Sequence, residues 1–329
     1  MQKRNFFRHL LMCTVVPSAA VMSSISWAVA PQDDGFPNKP ITLILPYAPG
    51  GPTDQHLRVV AQEASKIILG QPIVLENRPG SNGVTAAAAL TRAAPDGYTL
   101  GVLPASVYRE PHINKVPFDP ISSFSYVAML SDYSFGLAVK PDAPWNSWEE
   151  LVADAKKRPG QLNIGATGAA GTPRIVMEEA MAVSGVKMNV IPYKGDGDVA
   201  TAILGGHVDA APLSGVAVPH IEAGKMRYLV MLTSKRIPRF PELPTLQETG
   251  VKAFIDSPYG IAGPKGMTSA HVLRLAQAFK QALLSTEGQK VLAQLNQQPN
   301  YMAPDEYFAY AKESYAREQK RVTWLRQQG

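Results

Sequence analysis

The sequence predicts an α/β fold with a parallel sheet flanked by helices, and three observations support that prediction. Short apolar runs alternate along the chain with amphipathic segments of helical spacing, which is typical of βαβ units. The first run, residues 41–45, is nearly continuous rather than alternating, as expected for a strand buried on both faces. The length of 329 residues, 45% of them apolar, predicts two domains, each large enough to bury a core.

The first part of the chain is predicted to contain three strands joined by helices. After the first strand, a Gly-rich turn leads into a helix whose apolar residues recur at helical spacing from Leu57 to Ile68. The elements that follow are a strand at 73–76, a loop at 77–83, an Ala-rich helix at 85–94 and a strand at 98–103.

The middle of the chain repeats this design. Two apolar runs, 126–130 and 135–139, are separated by residues 131–134 and are predicted to carry the chain from one domain to the next. Ser147 is predicted to begin a helix, because Glu150 follows it at capping-box spacing. The remaining predicted elements are a strand, Gly-rich turn and helix at 162–183, strands at 190–193, 208–212 and 228–233, a helix at 199–204, and mostly helical structure from 268, ending in a charged helix at 304–328.

The first 28 residues have the three parts of a secretory signal peptide. A basic start precedes an apolar stretch at 10–22, and the sequence Ser26-Trp27-Ala28 places small residues, Ser26 and Ala28, at cleavage spacing. We predict export and cleavage after Ala28, with cleavage after Ala30 as the alternative. An N-terminal membrane anchor would need about 20 apolar residues, and this stretch is shorter.

Charge and cysteine content narrow the class of protein. Three of the 32 Lys and Arg residues lie in the predicted signal peptide, so 29 basic residues face 27 acidic ones after cleavage. This balance argues against nucleic-acid or membrane-surface binding. The charged C-terminal helix also carries aromatic residues, which we predict to pack on the first domain. Cys13, the only cysteine, lies in the signal peptide, so neither a disulfide nor thiol chemistry is expected.

Two Gly-rich turns are the strongest candidates for a binding site. Each leads into a helix N-terminus, where unpaired N–H groups and the helix dipole can hold an anion without Lys or Arg. The alternative is that both are ordinary connections, in which Asp54 serves as an N-cap. Neither turn has the spacing of a nucleotide-binding loop, so no phosphate cofactor is predicted. Their glycines and hydroxyl donors are Gly50, Gly51 and Thr53 in the first turn, and Gly168, Gly171, Thr167 and Thr172 in the second.

Recognisable enzyme motifs are lacking. Ser214 precedes a glycine but does not stand in a Gly-x-Ser-x-Gly elbow. No histidine beyond the signal peptide has the spacing of a metal ligand, so no metal is predicted. We predict surface or capping positions for these histidines: His56, His112, His207, His220 and His271.

A dozen short motifs, in order along almost the whole exported chain, carry a resemblance to a known family. The most specific lie at 46–54 (PYAPGGPTD), 76–80 (ENRPG), 95–100 (PDGYTL) and 191–195 (IPYKG). Together they resemble the solute receptors of tripartite tricarboxylate transporters, the Bug-type periplasmic binding proteins. The resemblance implies a two-lobe, type II Venus-flytrap architecture, in which a parallel or mixed sheet flanked by helices forms each lobe. One lobe would contain residues 31–138 and 257–329, and the other residues 139–256.

The resemblance also implies that a small carboxylate binds between the lobes, often through bridging waters. The second loop of the family often carries histidine where this chain has Arg174, whose guanidinium would bind a second anionic group if it entered the cleft. The alternative for Arg174 is an exposed first-turn position, and for Asp209 a turn in the core. The candidate ligand-binding residues are Tyr47, Ala48, Pro49, Gly50, Gly51, Pro52, Thr53, Asp54, Ser106, Thr167, Gly168, Ala169, Gly171, Thr172, Arg174, Asp209 and Ser214.

The function that follows is that of a periplasmic receptor which delivers a carboxylate to a membrane permease. We expect a monomer without cofactor, metal or nucleic-acid partner. Two alternatives remain. One is a sensor component that presents its ligand to a periplasmic signalling domain, and the other is a secreted serine hydrolase that uses Ser106 or Ser214.

Overall fold

A computed structural model describes residues 35–255 and 257–328. The predicted signal peptide, with Cys13, lies outside these residues. Among the described residues no helix combines the length and the apolar character needed to cross a bilayer. That part of the chain also contains no group of three or more His, Cys, Asp or Glu side chains arranged to hold a metal ion.

Strands and helices alternate through most of the described chain. The strands are β1 (Ile41–Leu45), β2 (Ile73–Asn77), β3 (Thr99–Pro104), β4 (Phe124–Tyr133), β5 (Gly136–Val139), β6 (Asn163–Thr167), β7 (Asn189–Tyr193), β8 (Ala210–Leu213), β9 (Arg227–Met231), β10 (Pro258–Pro264) and β11 (Gln297–Met302). The helices are α1 (Pro52–Ala64), α2 (Val84–Leu90), α3 (Ser106–Ile113), α4 (Trp148–Lys157), α5 (Thr172–Ser184), α6 (Asp196–Leu204), α7 (Val218–Glu222), α8 (Ser269–Leu284), α9 (Thr286–Gln294) and α10 (Pro304–Gln328). A π-helical turn extends α1 (Ser65–Leu69), and short 3₁₀ turns occur at Ser81–Gly83, Gly215–Ala217 and Leu246–Thr249.

These strands form two mixed sheets, which confirms the predicted fold class. The first sheet has the order β11-β4-β10-β3-β1-β2, with β1 parallel to β2 and β3, and β10 antiparallel to β3 and β4. The second sheet has the order β7-β6-β8-β5-β9, with β6 parallel to β7 and β8, and β5 antiparallel to β8 and β9. The chain therefore passes from the first sheet to the second after β4 and returns after β9.

Helices cover both faces of each sheet. In the first sheet, α1, α8 and α9 pack on one face, and α2, α3 and α10 on the other, where Tyr307 is fully buried. This confirms the prediction that aromatic residues of the C-terminal helix pack on the first domain. In the second sheet, α4 and α5 cover one face through residues such as Leu151 and Val176, and α6 covers the other. Full burial of one such apolar side chain stabilises the fold by about 1.5–3 kcal/mol.

Local predictions are confirmed at some positions and wrong at others. Ser147 caps α4 by accepting a hydrogen bond from Glu150 N at 3.3 Å, as predicted. The predicted break at 131–134 is wrong, because β4 continues to Tyr133. Its polar Ser131 pairs with Tyr259 of β10 and Pro299 of β11, and its hydroxyl donates to the Gln298 carbonyl at 2.9 Å. Pairing on both sides keeps these residues in the strand.

One histidine prediction is also wrong. His56 is fully buried, whereas a surface or capping position was expected. Its Nδ1 lies 2.6 Å from the Tyr259 hydroxyl, which explains how α1 can place a polar ring in the core. Among the other histidines, His207 is exposed, as predicted.

Candidate functional site

Both Gly-rich turns lie where a parallel strand ends and a helix begins. The first Gly-rich loop, residues 46–51, connects β1 to α1, and the second, residues 168–171, connects β6 to α5. Gly51 and Gly171 are the respective N-caps, and neither helix start has a side-chain cap. N–H groups of both first turns thus remain available to an anion. Ligands of α/β proteins characteristically bind beyond such carboxyl ends of strands.

Asp54 fixes the shape of the first loop. It is the third residue of α1 rather than the N-cap, so that alternative prediction is wrong. Its carboxylate accepts hydrogen bonds from Gly50 N at 2.9 Å, from Arg58 Nε at 2.8 Å and from Asn77 Nδ2 at 2.9 Å. Burial alone would raise the pKa of Asp54, but these hydrogen bonds and the Arg58 charge hold it below its usual value. Asn77 also donates to the Tyr47 carbonyl at 2.9 Å, so both ends of the loop are tied.

Tyrosine and threonine side chains line the inner side of the first loop. The buried Thr53 hydroxyl forms a hydrogen bond with the hydroxyl of Tyr133, at the end of β4. Burial raises the pKa of the Tyr47 phenol, and the negative charge of Asp196 raises it further. Because Asp196 belongs to the second sheet's side of the molecule, Tyr47 stands at the junction between the two sheets.

Close packing explains the glycines of the second loop. A Cβ on Gly171 would lie 2.0 Å from the Thr167 carbonyl oxygen, so no other residue fits without moving the loop. Gly168 has a φ of +74°, and a Cβ there would lie 3.0 Å from Asn82 Oδ1. Asn82 belongs to the turn after β2, so the second loop packs directly against the first sheet's side of the junction. Ser106 supports that turn by donating to the Asn82 carbonyl at 2.6 Å.

Arg109 connects α3 to the second loop. The fully buried guanidinium donates to the Ala170 carbonyl at 3.0 Å and to the Thr172 hydroxyl at 3.2 Å. Its Nε pairs with Glu318 of α10 at 2.6 Å. Burial by itself would raise the pKa of Glu318, but Arg109 and Arg321 hold it below its usual value. Arg321 also bonds Glu179 of α5 at 3.0 Å, so the ion network joins both sides of the junction.

Asp196 accepts hydrogen bonds from two of the hydroxyl groups that were predicted to lie at the site. Thr167 at the end of β6 donates to Asp196 Oδ1 at 2.5 Å, and Ser214 after β8 donates to Oδ2 at 2.5 Å. The Tyr228 hydroxyl fixes the Ser214 backbone by donating to its carbonyl at 3.0 Å. Ser214 is therefore bonded directly to a carboxylate and not to the imidazole that activates a serine nucleophile.

The structure brings most of the predicted residues to the junction but separates two of them. Arg174 pairs with Glu178 of its own helix at 2.7 Å, and its side chain is partly exposed. Asp209 accepts a hydrogen bond from Asn163 N at 2.7 Å. Asn163 begins β6 and Thr167 ends it, so Asp209 and Thr167 lie at opposite ends of that strand. The remaining loop residues, Ala48, Pro49, Gly50 and Ala169, are exposed, and Gly51 and Pro52 are partly buried.

Sequence reasoning missed several side chains that shape the junction. Asn77 lies within a motif that was noted, and Asp196 directly follows another, so attention to polar residues around those motifs would have found both. Arg109 and Tyr133 have no local signal, because each acts on partners far away in the sequence. Arg109, for example, contacts a carbonyl 61 residues later.

Comparison with known proteins decides the family. The model of the tripartite tricarboxylate transporter family receptor (TctC) matches residues 56–325. The chain belongs to this receptor family. A UPF0065 protein of Cupriavidus necator is 38% identical over 97% of this chain and 96% of its own length. Members of the family are solute-binding receptors of Bug type, as the sequence motifs predicted.

Solved structures of similar proteins agree with this assignment. The periplasmic binding protein BugD has a TM-score of 0.79 at 26% identity, covering 88% of this chain and 98% of its own. A Rhodopseudomonas palustris protein, MatC with bound malate, has a TM-score of 0.78 at 28% identity, covering 87% of this chain and 100% of its own. Rpa4515 of R. palustris with adipate has a TM-score of 0.81 at 26% identity, covering 88% and 98%.

Proposed function

We propose that this receptor is periplasmic, binds one small carboxylate between its two Gly-rich loops, and delivers it to the membrane permease of a tripartite tricarboxylate transporter. One observation carries the proposal. Helices α1 and α5 both begin without a side-chain cap, and their loops meet residues of the opposite sheet at one junction. Two helix N-termini directed to one region favour an anionic ligand.

The anion is held by backbone N–H groups rather than by a cation. Each helix dipole contributes about 0.3–1 kcal/mol, and each hydrogen bond to a charged group about 1.5–3 kcal/mol. Arg109 is occupied by Glu318 and by the second loop, and Arg174 by Glu178, so neither guanidinium is needed for the carboxylate head. Asp54 acts by holding the backbone of the first loop in place, and Ser106 acts by supporting the Ser81–Gly83 turn, against which the second loop packs.

The two sheets correspond to two lobes. The chain crosses from the first to the second between β4 and β5, so Gly136–Val139 belongs to the second lobe and the boundary lies before Gly136 rather than at 138/139 as predicted. Closure of the lobes on the ligand excludes water, which strengthens the hydrogen bonds and dipoles around the anion. The malate and adipate carried by MatC and Rpa4515 support a small carboxylate as the ligand of this chain as well.

A thermal-shift screen of residues 29–329 tests the proposal. The panel contains small carboxylates, with neutral sugars and amines that lack a carboxylate as controls. A ligand that binds only the folded state adds about 2.7 kcal/mol of stability at one hundred times its dissociation constant. We expect a concentration-dependent rise in melting temperature with one group of carboxylates. Stabilisation by the neutral controls alone, or by nothing in the panel, would contradict the proposal.

A further inference from the structure

We propose that the ligand of this receptor carries a positively charged amine as well as its carboxylate, and that Asp196 binds the amine. This inference rests on the proposed function and specifies the class of ligand. It derives from the position of one carboxylate at the junction and from the side chains around it.

Asp196 lies where three strand ends of the second sheet converge. It begins α6 directly after β7, while Thr167 ends β6 and Ser214 follows β8. Because these parallel strands are neighbours in the order β7-β6-β8, the three side chains meet at the carboxyl ends of the strands. Both carboxylate oxygens are fixed there by hydroxyl donors at 2.5 Å. The carboxylate is thus held in one orientation and not left as a mobile surface group.

The charge of Asp196 has no side-chain counterion in the described part of the chain, and the N-terminal dipole of α6, in whose first turn it lies, offsets only part of it. Among the residues that the structure describes, no Lys, Arg or His lies within ion-pair distance of it. Its two partners are neutral hydroxyls, which fill two of about four acceptor positions on a carboxylate. The tyrosines that its charge reaches, Tyr47, Tyr133 and Tyr228, are neutral as well, since burial raises the pKa of each phenol.

Asp196 also stands at the proposed ligand site. Tyr47, on which its charge acts, belongs to the first Gly-rich loop, and Thr167 immediately precedes the second. A ligand held between the two loops therefore lies beside this carboxylate. When the ligand excludes water, a carboxylate that lacks a counterion is costly to bury, and a second anionic group on the ligand would be repelled. An ammonium group removes both penalties.

The ligand class that satisfies both ends of the site is a zwitterion. Its carboxylate accepts hydrogen bonds from the N-terminal N–H groups of α1 and α5, and its ammonium group forms an ion pair with Asp196. Amino acids and other amine-bearing carboxylates meet this description, whereas simple dicarboxylates do not. Malate and adipate are the ligands of the two R. palustris proteins, whereas for this chain Asp196 favours an amine-bearing acid.

Calorimetric titration with matched pairs of ligands tests the inference. Each amino acid is compared with the acid that lacks its amine: aspartate with succinate, glutamate with glutarate, and 4-aminobutyrate with butyrate. We expect the amine-bearing member to bind at least tenfold more tightly in one or more pairs. In the Asp196→Asn variant that ratio falls at least tenfold. The control Asp198→Asn, an exposed residue in the same first turn of α6, keeps the wild-type ratio.

Each other outcome has a distinct meaning. If the wild-type protein binds the amine-free acids as tightly as their partners, the inference is overturned while the carboxylate receptor stands. If no acid of either kind binds, both the inference and the proposed function are overturned. An unchanged ratio in a folded Asp196→Asn protein would remove Asp196 as the amine-binding residue. The wild-type comparison decides the ligand class even if that variant fails to fold.

Discussion

At the residue scale, His56 links stability to pH. Burial lowers the pKa of its imidazole from 6.5 to about 4. Above pH 6.5 the ring is neutral in both the folded and the unfolded chain, so it contributes no pH dependence there. Below pH 6.5 the unfolded chain binds the proton first, and stability falls by about 3 kcal/mol in total as the pH approaches 4.

The His56→Phe variant isolates this effect. It removes the titrating group, and the Tyr259 hydroxyl keeps its hydrogen bond to Gln297 Oε1 at 2.7 Å. We expect its free energy of unfolding, measured by urea denaturation between pH 7.5 and 4, to fall less steeply than that of the wild type. The exposed His207, replaced by Gln, serves as the control and should leave the slope unchanged. Parallel profiles for wild type and His56→Phe would contradict the assignment.

The second prediction at the residue scale concerns Gly171. In Gly171→Ala the new methyl group meets the Thr167 carbonyl at 2.0 Å, so the second loop must shift away from its position in front of α5. We expect at least a tenfold loss of affinity for whichever carboxylate stabilises the wild type. Gly197→Ala, where a Cβ meets nothing within 4 Å, is the matched control and should bind normally. Normal binding by Gly171→Ala would show that the loop does not form the site.

At the element scale, Tyr307 is the most deeply buried aromatic side chain that packs α10 on the first sheet. Tyr307 is fully buried and packs edge-on against Tyr126 of β4, with ring centroids 4.7 Å apart. Its removal in Tyr307→Ala leaves a cavity that costs about 3–5 kcal/mol, as for other large aromatic residues. We expect chemical denaturation to show that loss, whereas Lys320→Ala, on the exposed side of the same helix, should change stability by less than about 0.5 kcal/mol. A small effect of Tyr307→Ala would mean that α10 is not anchored there.

Helices and strands were predicted correctly where regularly spaced apolar residues mark them. The predictions failed where polar residues begin or continue the element. The strand at 41–45 and the helix from 304 agree with the structure in position. The helix predicted at 199–204 begins instead at Asp196, because its first turn is polar and carries no apolar signal. That difference matters for function. The predicted helix did not include Asp196, so the sequence pattern did not indicate that this carboxylate lies beside Thr167.

At the scale of the whole molecule, the repeated pattern of strand, Gly-rich turn and helix identified the two Gly-rich loops, but not how the loops are held. Local chemistry predicts a helix N-terminus after each glycine pair, and both are present. The contacts that join them connect residues far apart in sequence, such as Arg109 with Glu318, 209 residues away. Such partners are chosen by tertiary packing, and a single sequence contains no pattern that specifies them.

A prediction at the scale of the whole molecule concerns Arg109, which joins the two sheets. Its planar guanidinium bonds Glu318, the Ala170 carbonyl and the Thr172 hydroxyl at once, which the single ammonium of lysine cannot reproduce. In Arg109→Lys we expect the ion pair with Glu318 to persist while the second loop loses its attachment to α3. Ligand affinity should then fall at least tenfold, and small-angle X-ray scattering of the ligand-free protein should show a larger radius of gyration.

Arg321→Lys is the matched control for that experiment, because Arg321 also pairs with Glu318, at 2.6 Å, but its other partner is Glu179 of α5 rather than the second loop. If the second loop is what couples the two sheets to the ligand, only Arg109→Lys changes both affinity and radius. Equal effects of the two substitutions would instead place the coupling in the ion network as a whole. The carboxylate of Glu318, shared by both arginines, would then be the group that joins the helices on the two sides of the junction.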